Sequence, residues 1–318
     1  MIRLLPSRRR AWRPSHILTF PVRKRLGDSM TIAIGLMAQT EQSADQSLPA
    51  TSHLFLCADT MATYATLGGV AITSHQSQGK IYELPHDFFL AFSDDYYWAH
   101  LVAMEIHGRL LANVDFSSDG VKDLIKAEIK RAFEYAYTWY RDEVLRQSVG
   151  ITVDEYLHDS ALSPDLRAQG QEVLFGIAQN VPAEIIIIGQ THRGPMLLKA
   201  NGTEIRETTE FHVSGHACDS AISWLRLRDQ NCGMSAPRSF YHLMEAKRFA
   251  QLDPTVGRTT QIIYIPPFGK PMVFQDDGVT TLKQWMEIFG PRKTDELDKP
   301  EIFEDFKKET ARVNIART

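Results

Sequence analysis

The sequence predicts an α+β protein in which two stacked β-sheets lie between outer layers of helices, a four-layer αββα sandwich. Two observations predict it: the chain runs twice through the order short apolar strands, then a pair of helices, and it lacks the regular alternation that builds parallel crossovers. Length and composition are compatible. The 318 residues are 43% hydrophobic, 23% charged and 10% aromatic, enough to bury one large core or two smaller ones.

The first round opens with Thr31-Ile-Ala-Ile-Gly35 and Leu54-Phe-Leu-Cys-Ala58, apolar runs of strand length separated by the polar stretch 39–52, and together they predict a hairpin. Gly68-Gly69 marks a turn. Lys80–Leu84 and Phe88–Phe92, joined across Pro85-His-Asp87, predict a second strand pair. Helices follow over 97–111, where Leu101, Met104, Ile106 and Leu110 mark a face, and over 119–145, where Val121, Ile125, Ile129, Phe133 and Ala136 do. In the second round, Val173–Ala178 and Glu184–Ile188 read as strands, and His192-Arg-Gly194 turns the chain into a further strand at Met196–Lys199. Helices are expected over 217–228 and 235–250, the latter capped by Ser235, and Thr260–Ile265 closes the core. The expected organisation is a basic leader over 1–30, one domain over 31–268 with a polar insertion at 146–172, and a charged extension over 269–318, charged above all at 294–318.

Charge excludes some function classes. Thirty-five Lys and Arg against 39 Asp and Glu give a net charge of -4, no global reason to bind nucleic acid. No apolar run approaches the roughly 18 residues of a membrane helix; Glu184–Gly189 has strand length. Cys57, Cys218 and Cys232 are too few for a disulfide framework, so a reducing, cytoplasmic compartment is the simpler assumption. The first thirty residues differ, with Arg3, Arg8, Arg9, Arg10, Arg13, Arg23, Lys24 and Arg25 against Asp28 alone. Such a segment reads as a transit-like leader, a propeptide or sequence upstream of the true start. The last is favoured, because a well-patterned strand follows Met30 at once.

A start at Met30 has a chemical consequence. Removal of that methionine before a small residue leaves Thr31 with a free amine and a hydroxyl on one residue. The amine, with an ordinary pKa of about 7.7–8.0, can take the hydroxyl proton near neutral pH, and a nearby lysine keeps more of it unprotonated.

The ordered set Thr31–Gly35, Leu56-Cys-Ala-Asp-Thr-Met-Ala-Thr63, Lys80-Ile81 and Ala91-Phe-Ser-Asp-Asp95 resembles the amino-terminal half of proteasome β-type subunits and their bacterial relatives among the N-terminal-nucleophile (Ntn) hydrolases. Ile185–Gly189, Arg193-Gly-Pro195, Val213-Ser-Gly-His-Ala217, Met234-Ser235 and Leu252-Asp-Pro-Thr-Val-Gly257 continue it, so the likeness spans about residues 31 to 265. The resemblance implies an Ntn-hydrolase fold, and a threonine peptidase with Thr31 as nucleophile, Asp59 and Lys80 as its orienting buried pair, and Ser214 and Asp253 around the amine. It also implies the Phe92 backbone N–H as oxyanion donor and Thr63 on the substrate-binding strand. It implies a peptide or protein substrate, no cofactor, no metal, and a homo-oligomeric ring, and leaves open an ATPase partner.

The sequence departs from the family at three places. Phe92 stands where glycine is usual at the oxyanion position, Val256 where a hydroxyl is usual near the amine, and Met30 where propeptide-cut relatives carry glycine, so release by aminopeptidase is expected. Phe92 and Val256 favour a catalytically inactive structural subunit of the same fold. The retained Thr31, Asp59 and Lys80 favour the enzyme, and a non-peptidase amidohydrolase of the same nucleophile class is the third reading. As bland alternatives, Ser214 and Asp253 are also placed to cap helices, and Asp59 and Lys80 to be ordinary solvated charges. His212, His216, Cys218, Cys232 and His242 gather zinc-ligand types within about thirty residues, but without a CxxC. The series Tyr96, Tyr97, Trp98 and Tyr135, Tyr137, Trp139, Tyr140 reads as helix packing or a subunit contact.

Overall fold

The computed structural model describes residues 32–39, 52–59, 62–65, 71–74, 80–93, 96–179, 184–202, 204–215, 217–253 and 256–274. In chain order the first round comprises strands β1 Ile32–Gln39, β2 Ser52–Asp59, β3 Ala62–Ala65, β4 Ala71–Ser74, β5 Ile81–Leu84 and β6 Phe88–Phe92, then helices α1 Tyr96–Asn113, α2 Val121–Val149, α3 Val153–His158 and α4 Pro164–Gln179. The second comprises β7 Glu184–Thr191, β8 Gly194–Asn201, β9 Glu204–Glu207 and β10 Phe211–Gly215, helices α5 Cys218–Leu227 and α6 Ala236–Ala250, and β11 Thr260–Ile265 and β12 Met272–Phe274. The described residues divide into two units, one within 32–140 and 178–274 and the other within 141–177.

The larger unit holds two five-stranded antiparallel sheets, ordered β10-β1-β2-β11-β12 and β5-β6-β7-β8-β9, and a separate β3-β4 ribbon. Strand alternation sorts the side chains into three apolar layers. On β1, Ile32, Ile34 and Leu36 enter the cluster shared with α5 and α6, while Ala33 and Met37 enter the cluster between the sheets. Phe88, Leu90, Phe92, Ile185 and Ile187 pack with α1 and α2 on the outer face of the second sheet. Gly35 shows how closely the sheets approach: a Cβ there would lie 2.7 Å from Leu197 Cδ1 and 2.8 Å from Ile186 Cγ2.

Both hairpins form as expected, β1 with β2 and β5 with β6. Ser235 caps α6, its hydroxyl accepting the Arg238 N–H. Trp98 is fully buried and meets Tyr137 and Tyr140 edge-on, with centroids 6.5 and 5.3 Å away, so these aromatics serve α1–α2 packing. Two expectations are corrected. Met104 is 53% exposed, because the buried stripe of α1 runs through Trp98, Val102, Ile106 and Leu110 at four-residue steps. Val173–Ala178 is the last part of helix α4, not a strand; a short apolar run carries no period of its own, whereas Leu166, Gly170, Leu174 and Ile177 recur at helical spacing and Ser163 Oγ accepts the Leu166 N–H. β12 extends the first sheet, pairing with β11 at Ile262↔Phe274. The expected turn at Gly68-Gly69 and the charged tail 294–318 lie outside the described residues.

The stretch 146–172, expected as a polar insertion, falls within the residues 141–177 of the smaller unit. Thr152 and Glu155 form a reciprocal capping box on α3, and the Val153 N–H donates to Asp142 Oδ1 at 2.9 Å. Gly170 of α4 lies against the Tyr156 ring. Among the described residues no helix is long and apolar enough to cross a membrane.

Candidate active site

At one end of the sandwich the two sheets are joined by buried polar side chains. Asp59 ends β2 and is fully buried; Lys80 immediately precedes β5 in the other sheet and is 3% exposed. Lys80 Nζ donates to Asp59 Oδ1 at 3.1 Å. The Ile32 N–H approaches the same oxygen at 3.4 Å, and the Gly257 N–H donates to Oδ2 at 2.8 Å. A buried carboxylate with a cation and two amide donors has the partners its desolvation demands. Ile32 reaches Asp59 because β1 pairs with β2 only from Ala33 onward, which leaves the Ile32 amide to a side chain at the ladder's end. Thr31, whose carbonyl carbon carries that amide, lies outside the described residues.

A second bridge stands beside it. Ser93, just past β6, and Ser214 of β10 are both fully buried, with their hydroxyl oxygens 2.5 Å apart. The Glu184 carbonyl accepts the Ser93 N–H at 3.1 Å and its hydroxyl at 3.4 Å, and stands 3.5 Å from Ser214 Oγ. The Glu184 carboxylate pairs with Lys199 at 2.7 Å, and Lys199 also donates to the Val213 carbonyl at 3.0 Å. His212, next along β10 on this face, meets the Arg206 carbonyl at 3.2 Å. Burial holds its imidazole below the ordinary range, and the positive charges of Lys199 and Arg206 add to that.

The structure therefore brings Asp59 and Lys80 into contact, and sets Ser214 beside β1 at the register Ala33↔Ser214. Ser214 caps no helix, since Ala217 precedes α5. Asp253 lies in the turn after α6, its N–H on the Ala250 carbonyl and its carbonyl taking the Val256 N–H. That turn leads to Gly257. Val256 packs into the apolar cluster under α5 and α6. Thr63 stands on β3 opposite Thr73 of the ribbon.

Phe92 does not turn its side chain into the layer between the sheets. Its ring is fully buried on the outer face of the second sheet, stacked on Tyr82 at 5.8 Å, and its φ is negative like that of any ordinary strand residue. Because the Ser93 N–H turns toward β7, strand alternation directs the Phe92 N–H to the opposite edge, the side of β5 and Lys80. Ser93 was not among the residues the sequence singled out. Its one signal is alternation, which puts it on the same face as Ala91, opposite Phe92.

Among the described residues the zinc-ligand types do not converge. His242 is buried in α6 with Nδ1 2.9 Å from Gln230 Oε1. Cys232 packs against the inter-sheet cluster. The Cys218 thiol is pushed up, first by burial and then by Asp219, away from thiolate chemistry. His216 lies outside the described residues. Among the described residues no group of three or more His, Cys, Asp or Glu could hold a metal ion.

The sequence matches no protein-family model and no curated protein. By structure the chain is similar to the Anbu (Gly-1) mutant from Hyphomicrobium sp. strain MC1, with a TM-score of 0.51 and 14% sequence identity, over 81% of this chain and 96% of that one. At that identity the likeness is one of fold alone.

Proposed function

We propose that this chain is an N-terminal threonine hydrolase acting on peptide amides, with Thr31 as the nucleophile. The supporting observation is the buried Lys80–Asp59 pair, anchored to the amide that directly follows Thr31. In this reading the Thr31 hydroxyl oxygen bonds to the substrate carbonyl carbon as its proton passes to the Thr31 α-amine. The Phe92 N–H donates to the oxyanion that forms. The intermediate collapses when the amine returns that proton to the leaving nitrogen, the C–N bond breaks, and an ester to Thr31 remains. Water, deprotonated by the same amine, attacks the ester and releases a carboxylic acid and free Thr31.

Lys80 disfavours protonation of the amine, and Asp59 holds Lys80 in place. Ser214 and Asp253 complete the polar group around the amine, and Thr63 lies on the strand that takes an extended substrate by backbone hydrogen bonds. The αββα domain begins at Thr31 once the basic leader is absent, and the chain self-associates as a ring. A silent structural subunit loses one of its two supports, because the Phe92 ring packs outside the inter-sheet layer.

Thr31→Ala tests the proposal. In protein whose mature terminus is set at residue 31 by intact mass, the variant keeps the wild-type fold while turnover of short peptide amides falls by a factor on the order of 10⁴ to 10⁶. Full activity in the variant would remove Thr31 as nucleophile. Turnover of small acyl amides in place of peptides would reassign the substrate.

A further inference from the structure

Asp59 has a second line of support that the hydrolytic scheme leaves unused. Lys247 of α6 is 1% exposed, and its ammonium donates to the Gly257 carbonyl at 2.8 Å. Gln251, at the end of the same helix, donates to that carbonyl at 2.9 Å and to the Arg258 carbonyl at 3.0 Å. The Gly257 N–H is the donor on Asp59 Oδ2. Both polar groups of one backbone residue are thus engaged, the carbonyl by a buried cation and the amide by the buried carboxylate.

A fully buried lysine is rare, because taking the ammonium out of water is costly unless strong acceptors replace the hydration. An apolar side chain at this place in α6 would fill the space without that cost. The lysine supplies what an apolar residue lacks, a charge-assisted hydrogen bond about twice as strong as a neutral one. It falls on the residue that orients Asp59. With Oδ2 fixed by Gly257, Oδ1 is the oxygen left facing Lys80 and Ile32.

We infer that Lys247 is a positioning residue of the hydrolytic site, acting through Gly257 to hold the Asp59 carboxylate in the orientation that seats Lys80. The inference rests on the proposed role of the Asp59–Lys80 pair in hydrolysis, but its structural half is testable without turnover. In protein whose mature terminus is residue 31, Lys247→Met removes the donor with little change in volume, and Lys247→Gln keeps a neutral donor for use if the Met variant does not fold. Two quantities are read: hydrogen exchange of the Gly257 amide against amides of the β1–β10 ladder, and kcat and KM for a short peptide amide.

The expected result is selective. Gly257 exchange accelerates about tenfold or more in the Met variant and less in the Gln variant, the ladder amides keep their rates, and kcat falls about tenfold at constant KM. A folded variant with unchanged Gly257 exchange overturns the inference, as does one in which every amide accelerates together, the mark of general destabilisation. Selective Gly257 acceleration in a protein that hydrolyses nothing, wild type included, supports the positioning and overturns the hydrolase reading instead.

Discussion

The layer between the two sheets has two unlike ends. At one, Met37, Leu54, Phe89, Ile188 and Ile265 fill the space with large side chains, and Gln190 makes a polar crossing to the Ser52 carbonyl at the rim. At the other, the contributing residues shrink to Ala33, Ala58 and Ala91, and beyond them stand Asp59, Lys80, Ser93 and Ser214, all buried. Alanines there leave room that isoleucine or phenylalanine would take, and the room is filled by polar groups. Every one of those groups has a partner across the sheets or in the backbone, as buried polar atoms require. The dry end contributes stability through burial, whereas a buried ion pair such as Asp59–Lys80 contributes little beyond what packed apolar side chains would, and its presence accords with the role proposed for it.

Truncation separates the two ends. Lys80→Met leaves the Asp59 carboxylate buried without its cation, an expected loss of about 3–5 kcal/mol, and in the proposed mechanism most of the hydrolytic rate goes with it. Ile188→Ala at the dry end costs about 2–5 kcal/mol through transfer and cavity terms, yet turnover per folded molecule stays at the wild-type value. Denaturant titration paired with kcat reads both. Equal loss of rate in the two variants would erase the distinction between the ends.

The dry end was the more legible of the two from sequence. Runs such as Ile185–Ile188 and Leu54–Leu56 declare strands by composition, and the pairing of β7 with β8 follows from a short connection and alternation. Val173–Ala178 shows the limit, because six mostly apolar residues look alike in a buried strand and at a helix end, and the deciding signals, Ser163 and the spacing back to Leu166, lie upstream. At the polar end, Asp59 and Lys80 stood out only through the ordered resemblance. Ser93 did not, since its partner Ser214 is 121 residues away and the bond exists only when two sheets stack in one register. Lys247 was hidden for the opposite reason: a lysine in an amphipathic helix ordinarily reads as solvated.

The Ser93–Ser214 bond ranks next in size. Ser93→Ala removes one member of a buried hydroxyl pair and is expected to cost about 1–3 kcal/mol. Ser93→Thr keeps the oxygen and recovers part of that. A double-mutant cycle with Ser214→Ala isolates the bridge, with a coupling of about 0.5–3 kcal/mol. Additive effects would mean that the short contact carries no energy of its own.

The smallest expected effect lies at the margin of the polar end, at His212. Burial favours its neutral form in the folded chain, whereas in the unfolded chain the imidazole takes a proton as pH falls through about 6.5. The unfolded state then binds more protons than the folded state, so stability is lost as pH drops from that point down through the lowered folded value. The charged neighbours act in both directions, Lys199 and Arg206 against protonation and Glu184 for it, and the ring is only partly buried, which keeps the effect small. His212→Gln removes the titration. Its urea midpoint is expected to change less than that of the wild type between about pH 7.5 and pH 5.5, while Lys199 and Glu184 remain paired in both. Parallel midpoints across that range would show that His212 is solvated in solution and that the polar end stops at Ser214.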